Sequence, residues 1–292
     1  MPELPEVQTT VNQIAPRLLS RTITGFESHW AKNATPSAAA VRRGVVGRSV
    51  RAVSRRAKYV VVELNDGGWM LVHLRMSGRL EWHDPSADEP ARHIRAAWTL
   101  DSGDRLLFCD ARKFGRIVYT RSLESVTTRL GVEPLSDEFT VERLAALLTA
   151  RSRFLKPLLL DQSVIAGIGN IYADESLHAA GLHPLTRSDR IAPAGVAALH
   201  SAIQSALRQG LAHNGASIDW VYPGGEMQQY FAAYGRDGQA CARCGDTIIA
   251  LRVGQRGTHI CPTCQPRPRG PRRGKRRSNP SQERACAASP AS

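Results

Sequence analysis

Ile165-Ala166-Gly167-Ile168-Gly169-Asn170-Ile171-Tyr172-Ala173-Asp174-Glu175 is the stretch on which the fold turns. Its Gly-x-Gly invites a dinucleotide-binding reading, which would make the chain a parallel α/β protein. That reading fails twice. The third glycine is missing, and the residues before it are helical: Leu144, Leu147 and Leu148 begin an aliphatic stripe that Leu155 to Leu160 continue. What remains is a tight glycine turn between two helices, with Asn170 near the start of the second. Backbone N–H groups and an amide at a helix start suit a phosphate, although such a turn is often only a turn.

On the N-terminal side the periodicity changes. Val7, Val11, Ile14 and Leu18 give a first helix from about Pro5, which Pro16 should end or bend. From Arg21 to about Arg121 short β segments follow, among them 58–64, 69–74 and 96–100, with turns at Asn65-Asp66-Gly67-Gly68 and Asp101-Ser102-Gly103-Asp104. That pattern is an antiparallel β sandwich. On the C-terminal side, Val196, Leu199, Ile203, Leu207 and Leu211 form an amphipathic helical face read as core. The fold class is therefore α+β and multidomain. The expected divisions are 1–130 for the helix and sandwich, 131–236 for the helical domain after a linker-like Gly131-Val132-Glu133-Pro134, and 237–265 for a cysteine module. Residues 266–292 form a basic tail whose composition predicts disorder.

The formal net charge is +13 over 292 residues. From Gln265 onward eight Arg or Lys face one acid, and residues 1–264 keep a net +6. A body that stays basic without its tail points to a polyanion partner. The Arg/Lys run from Arg267 to Arg277 adds an expected nonspecific DNA arm. No apolar run approaches the ~20 residues of a membrane span, and the N-terminus lacks a secretory pattern, so a cytoplasmic location is expected.

Cys241-x2-Cys244-x16-Cys261-x2-Cys264 places two CxxC knuckles at a spacing suited to one tetrahedral zinc. Four thiolates leave no open position, so the metal is structural. Arg252 and Arg256 lie between the knuckles on an expected β hairpin. Cys109 reads as a buried, inert thiol and Cys286 has no assigned role.

Met1-Pro2-Glu3-Leu4-Pro5-Glu6 carries the chemistry. Removal of Met1 would leave Pro2 as a secondary amine, whose iminium adduct cannot discharge by losing a proton and so persists as an electron sink. Glu3 beside it is a ready proton donor and acceptor. On their own, the prolines could serve only to start a helix. The turns His73-Leu74-Arg75-Met76-Ser77-Gly78 and Asp110-Ala111-Arg112-Lys113-Phe114-Gly115-Arg116 offer Met76 and Phe114 as wedges for a base stack and Arg112 for an orphaned base. Each could also be an ordinary turn.

These two turns, the opening PELPE, Arg56-Ala57-Lys58-Tyr59, the Gly167–Glu175 run and the four cysteines occur in one order. Together they resemble the formamidopyrimidine-DNA glycosylase family, bifunctional repair enzymes for oxidised purines, over about residues 1–265. The resemblance implies a sandwich domain, a helix-two-turn-helix domain and a zinc ribbon around a DNA cleft, in a monomer associated with the nucleoid. It implies Pro2 as nucleophile at C1′ and Glu3 as proton donor, with Glu6 in support. Lys58 would donate the proton in β-elimination, and Arg256 would serve δ-elimination and phosphate binding. Asn170 would hold a phosphate, and Met76, Arg112 and Phe114 would fill the void. His93, Arg151 and Lys156 fall, by a looser alignment, where the family contacts DNA.

Two departures stand out. Arg75 replaces the glycine usual before the void-filling methionine. The segment 217–234 is shorter than the family's loop over the everted base, which leads to an expectation that formamidopyrimidines are processed at least as well as 8-oxoguanine. The rivals are an endonuclease VIII-like enzyme for oxidised pyrimidines, a catalytically dead DNA-binding zinc-ribbon protein and an RNA-associated protein. HLRMSG and DARKFGR argue against the first, intact Pro2, Glu3 and Lys58 against the second, and PELPE against the third.

Overall fold

The computed structural model describes residues 1–84, 91–217 and 224–268. Part of the 217–234 segment and nearly all of the basic tail lie outside the described residues.

The chain opens with helix α1 (Leu4–Leu18), whose Val7, Val11, Ile14 and Leu18 are buried in the sandwich core. It runs two residues beyond Pro16. A proline in the last turn removes only one of the final hydrogen bonds, so it ends nothing by itself. The strands and helices that follow are β1 (Ile23–Ser28), β2 (Ala34–Thr35), α2 (Ala38–Val45), β3 (Val50–Arg56), β4 (Tyr59–Leu64), β5 (Trp69–His73), β6 (Gly78–Trp82), β7 (Ile94–Leu100), β8 (Arg105–Asp110) and β9 (Arg116–Thr120). They form two sheets, ordered β1-β7-β8-β6 and β2-β9-β5-β4-β3.

The pairing is antiparallel except for β2 on β9, which is parallel at Ala34↔Ile117. That exception and α2 depart from the antiparallel sequence pattern. The α2 segment is short and alanine-rich, and it is helical because it packs: a Cβ on Gly44 would lie 2.4 Å from the Tyr119 ring. Cys109 is buried in β8 and donates to Glu81 Oε1 at 3.0 Å. Burial and Glu81 push its thiol up to about 12, leaving it unreactive.

The helical half comprises α3 (Glu124–Thr127), α4 (Val141–Thr149), α5 (Leu155–Leu159), α6 (Asn170–Ala179) and α7 (Pro193–Ala212). Val196, Leu199, Ile203 and Leu207 of α7 are buried against it. Gly210 permits the close approach of α6, since a Cβ there would meet the Tyr172 hydroxyl at 2.4 Å. The last unit is the hairpin β10 (Ile249–Val253) and β11 (Arg256–Ile260).

The halves are joined at two places. Leu4 packs in the helical core and its N–H donates to Gly167 O at 3.0 Å, so the start of α1 enters the helical half. The stretch read as a linker is firmly docked: Gly131 N–H donates to Gln162 O at 2.8 Å, and the Glu133 carboxylate takes Arg55, Arg56 and the N–H of Ala57 at 2.7, 2.8 and 2.6 Å. Among the described residues no helix is long and apolar enough to cross a membrane.

Candidate nucleic-acid cleft and its buried acid–base pair

Pro2 and Glu3 are both buried where α1 meets the helical half. Glu3 caps α1 and its N–H donates to Glu6 Oε2 at 2.8 Å. Its carboxylate reaches across to the start of α6, where Oε2 accepts Gly169 N–H at 2.6 Å and Oε1 accepts Ile171 N–H at 3.0 Å. Gly169 is required there, because a Cβ would lie 2.4 Å from the Glu3 carboxyl carbon. The helix-start N–H groups that the sequence offered to a phosphate thus hold the chain's own acid. Their positive end is a natural seat for it.

Glu6 is buried as well, accepting Tyr172 Oη at 2.9 Å and Ala216 N–H at 2.8 Å through Oε1. Burial, with the Glu6 charge adding to it, holds the Glu3 carboxyl above its usual range, against the attraction of Lys58. Lys58 is 4 % exposed, and among the described residues its ammonium makes no hydrogen bond. Burial pushes Lys58 down, opposed by Glu3 and Glu6 and reinforced by Arg256. A raised acid and a lowered amine in one buried site are suited to moving protons.

Lys58 stands on the turn between β3 and β4, after Ala57 at φ 53°. Glu133 grips that turn and so aims Lys58. The sequence reading missed it, since nothing in a Gly-Val-Glu-Pro stretch shows that its acid folds back onto three donors more than 70 residues away.

Asn170 Nδ2 donates to Gly257 O at 3.0 Å, while its Oδ1 is buried and has no partner among the described residues. Arg256 is exposed at the tip of the hairpin, one residue from this contact. Lys156 departs from its expected place at the DNA surface. It is fully buried, and its Nζ contacts Asp174 Oδ1, Gly257 O and Thr258 Oγ1 at 2.6, 2.7 and 2.8 Å. It cross-links α5, α6 and the hairpin. An amphipathic stripe cannot reveal a lysine pointing inward to an aspartate that lies farther along the chain. Arg151 is half-buried in the turn after α4.

On the sandwich side Met76 and Phe114 are 37 % and 47 % exposed, unusual for apolar side chains of their size. Arg112 lies with its guanidinium carbon 5.2 Å from the Phe114 ring centre, and His93 is exposed on a neighbouring loop. Arg75, at the position where the family resemblance has a glycine, adopts φ 57°, in the left-handed region that favours glycine. Its N–H donates to His73 Nδ1 at 3.0 Å, which braces the turn. A non-glycine residue there costs on the order of 1 kcal/mol. Arg75→Gly is expected to stabilise the protein by about 0.5–1 kcal/mol, read as a rise in Tm; a fall would show that the arginine side chain holds the loop.

His73 accepts that hydrogen bond only when neutral. Burial, then the charges of Arg75 and Lys58, lower it from the usual 6.5 to about 3. The folded state therefore binds fewer protons than the unfolded state between those values. Stability is lost as pH falls from about 6.5 toward 3, at up to about 1.4 kcal/mol per pH unit from this group. Urea unfolding at pH 7 and 4.5 should show a shallower pH slope for His73→Gln than for the native chain; equal slopes would exclude His73 as the sensor.

The sulfurs of Cys241, Cys244, Cys261 and Cys264 all lie within 4.8 Å of one another. A zinc ion with four bonds of about 2.3 Å sets its sulfurs about 3.8 Å apart, so the set fits one tetrahedral ion. His178 Nε2 is 3.3 Å from Cys241 Sγ. A zinc-bound thiolate can only accept, so with metal bound His178 is the donor. His178→Phe should release zinc to a chelator about tenfold faster, followed with a colorimetric zinc indicator, and His178→Gln should recover part of the difference. An unchanged release rate would remove His178 from the metal's surroundings.

Comparison with known proteins follows the same three units. Family models match at residues 1–117 (formamidopyrimidine-DNA glycosylase N-terminal domain), 130–221 (formamidopyrimidine-DNA glycosylase H2TH domain) and 238–267 (zinc finger found in FPG and IleRS). The formamidopyrimidine-DNA glycosylases of Chloroflexus aurantiacus and Roseiflexus sp. are 44 % and 45 % identical, over 91 % of this chain and 98 % and 100 % of theirs. Among solved structures, the Lactococcus lactis Fpg with an abasic-site DNA aligns with TM-score 0.84 at 29 % identity, over 91 % of this chain and all of that one. The wild-type Lactococcus lactis protein bound to an N7-benzyl-Fapy-dG DNA aligns with TM-score 0.85 at 30 % identity, with the same coverage.

Proposed function

The chain belongs to the formamidopyrimidine-DNA glycosylase family, and from that membership and its buried acid–base pair we infer how it works as a base-excision repair enzyme. It is a bifunctional glycosylase and AP lyase acting on double-stranded DNA with oxidised bases or abasic sites. One structural zinc, held by Cys241, Cys244, Cys261 and Cys264, supplies folding stability and takes no part in the reaction. The domain divisions read from the sequence, at 130/131, 236/237 and 265/266, are retained as part of this reading, as is a nucleoid location.

The amine of Pro2, freed by removal of Met1, attacks C1′ of the damaged nucleoside. The N-glycosidic bond breaks, the base leaves with a proton, and the sugar ring opens as Glu3 protonates its oxygen. The resulting iminium between Pro2 and C1′ makes the C2′ proton acidic. Loss of that proton expels the 3′ phosphate, and a second elimination, with Arg256 at the phosphate, expels the 5′ phosphate. Water then hydrolyses the Pro2–C1′ iminium to release the unsaturated sugar aldehyde and restore the amine. Lys58, lowered by burial, passes a proton in these steps more readily than an exposed lysine would. Asn170 and Arg256 hold phosphates and fix register without reading sequence. Met76, Arg112 and Phe114 enter the stack, and the exposed His93 and half-buried Arg151 contact the backbone. One observation carries the reading: the residue after Pro2 is a buried carboxyl, seated on the N–H groups at the start of α6, whose proton affinity burial raises against the attraction of the buried Lys58.

Borohydride trapping tests it, using duplexes with formamidopyrimidine, 8-oxoguanine, thymine glycol or an abasic site. The expected result is a covalent adduct that disappears when Met1 is retained. Formamidopyrimidine should be processed at least as well as 8-oxoguanine, because the sequence at 217–234 is shorter than the family's loop over the everted base, and both ahead of thymine glycol. DNA binding with no adduct, even on the abasic duplex, would overturn the mechanism. A preference for thymine glycol would overturn the purine assignment.

A further inference from the structure

Asp110, the last residue of β8, is 1 % exposed although it carries a carboxylate at the rim of the sandwich. Its Oδ1 accepts the Ser77 hydroxyl and, at 3.2 Å, the N–H of Arg112. Its Oδ2 accepts the N–H of Gly115 at 2.7 Å. Ser77 Oγ accepts the same Arg112 N–H at 3.0 Å, closing a small ring of bonds between two loops. The main chain of Asp110 ties a third loop: its N–H donates to His93 O at 3.0 Å, and its carbonyl accepts Arg95 Nε at 2.8 Å.

Each of these loops contains a non-glycine residue in the left-handed region: Arg75 at φ 57°, His93 at 62° and Lys113 at 61°. Such conformations persist only where the surroundings hold them. Gly115 admits no side chain, since a Cβ would lie 2.2 Å from the Phe108 ring, so the second loop is pressed onto the sheet beneath. A buried carboxylate is a costly way to fill space and is favourable only when donors converge on it. Here the donors are the Ser77 hydroxyl, from the loop that carries Met76, and two backbone N–H groups of the loop that carries Arg112 and Phe114.

We propose that Asp110, with Ser77, is a positioning residue for lesion removal: its carboxylate locks the two loops that carry Met76, Arg112 and Phe114 into one preassembled wedge before DNA arrives, beside the third loop that its main chain holds. Eversion of a damaged base then does not also have to order the loops that fill the vacated space. The proposal rests on the preceding reading that these side chains enter the stack. At an abasic site there is no base to evert, so a preformed wedge matters less there.

The test compares full-length, zinc-loaded Ser77→Ala, Asp110→Asn and Asp110→Ala with the native protein under single turnover. One duplex carries a formamidopyrimidine and the other an abasic site; 2-aminopurine opposite the lesion reports eversion. Excision and the eversion signal should slow about tenfold or more in Asp110→Ala and less in the other two, with abasic-site cleavage falling less than about threefold. Adding Met76→Ala to Ser77→Ala should cost less than the two separate losses combined, because Ser77 acts through Met76. Equal losses on both duplexes, additive losses, or no loss would overturn the proposal. Should Asp110→Ala fail to fold, Ser77→Ala and Asp110→Asn decide the question alone. If Met76→Ala and Phe114→Ala themselves leave eversion intact, the wedge reading fails, and this proposal with it.

Discussion

Glu3→Gln should slow excision of a formamidopyrimidine on the order of 10²–10⁴-fold, the range a positioned proton donor contributes, while cleavage at a preformed abasic site falls far less. The split follows from chemistry. Opening the sugar and losing the base require a proton at a leaving atom, whereas an abasic site already has an aldehyde that Pro2 can attack. Glutamine has nearly the same shape, but one of its acceptors becomes a donor. That group would face the N–H of Gly169 or Ile171, and an unsatisfied buried donor costs about 1–3 kcal/mol. The variant should therefore also melt lower.

The pH profile separates the two effects. In the native protein burial holds the Glu3 carboxyl above its usual range, so its protonated form persists to higher pH than in an ordinary glutamate and excision falls as pH rises through that raised value. The variant should lose that limb. A variant that is less stable but keeps the limb would show that Glu3 only anchors α6.

The sequence disclosed the chemistry better than the geometry. Pro2 and Glu3 offered an amine and an acid whose use only the motifs farther along the chain suggested. The four cysteines could be read directly, because a tetrahedral thiolate set needs particular residue types at fixed spacing. The β segments of the sandwich and the long α7 stripe were legible for the same reason: their periods are local. What the sequence hid was pairing across distance. Lys156 looked like a surface cation until Asp174, Gly257 and Thr258 closed around it. Glu133 looked like part of a linker, yet it holds the turn that carries Lys58. The amides at the start of α6 looked free for phosphate, and Glu3, 166 residues away, occupies them. Arg75 showed the opposite case, a visible departure from the family pattern whose backbone still lies in the left-handed region that favours glycine.

Removing zinc, by chelation or by Cys261→Ser, should weaken binding to abasic DNA about 100-fold or more, a loss of about 2.7 kcal/mol, while the sandwich stays folded. The four-cysteine ribbon buries only a few apolar residues, Ile248 among them, so metal binding worth roughly 10–16 kcal/mol is its main source of order. Disordering the hairpin removes more than Arg256 from the DNA. Asn170 loses Gly257 O, and Lys156 loses Gly257 O and Thr258 Oγ1, leaving a fully buried ammonium with Asp174 as its remaining partner. His259 leaves Asp174 too, since both its N–H, at 3.0 Å, and its ring contact that carboxylate. The damage therefore reaches the start of α6, where Asn170 lies between the Gly169 and Ile171 N–H groups that hold the Glu3 carboxylate. Heating the zinc-free protein should give two transitions, an early one from the helical half and a later one from the sandwich, whose core of Val60, Val62, Val72, Trp98 and Phe108 the metal does not touch. Calorimetry with and without metal, alongside a binding titration, measures both effects. Retained affinity in a chain shown to be zinc-free would mean that Arg256 and Asn170 reach the phosphates without the ribbon, and that α6 is held by the sandwich alone.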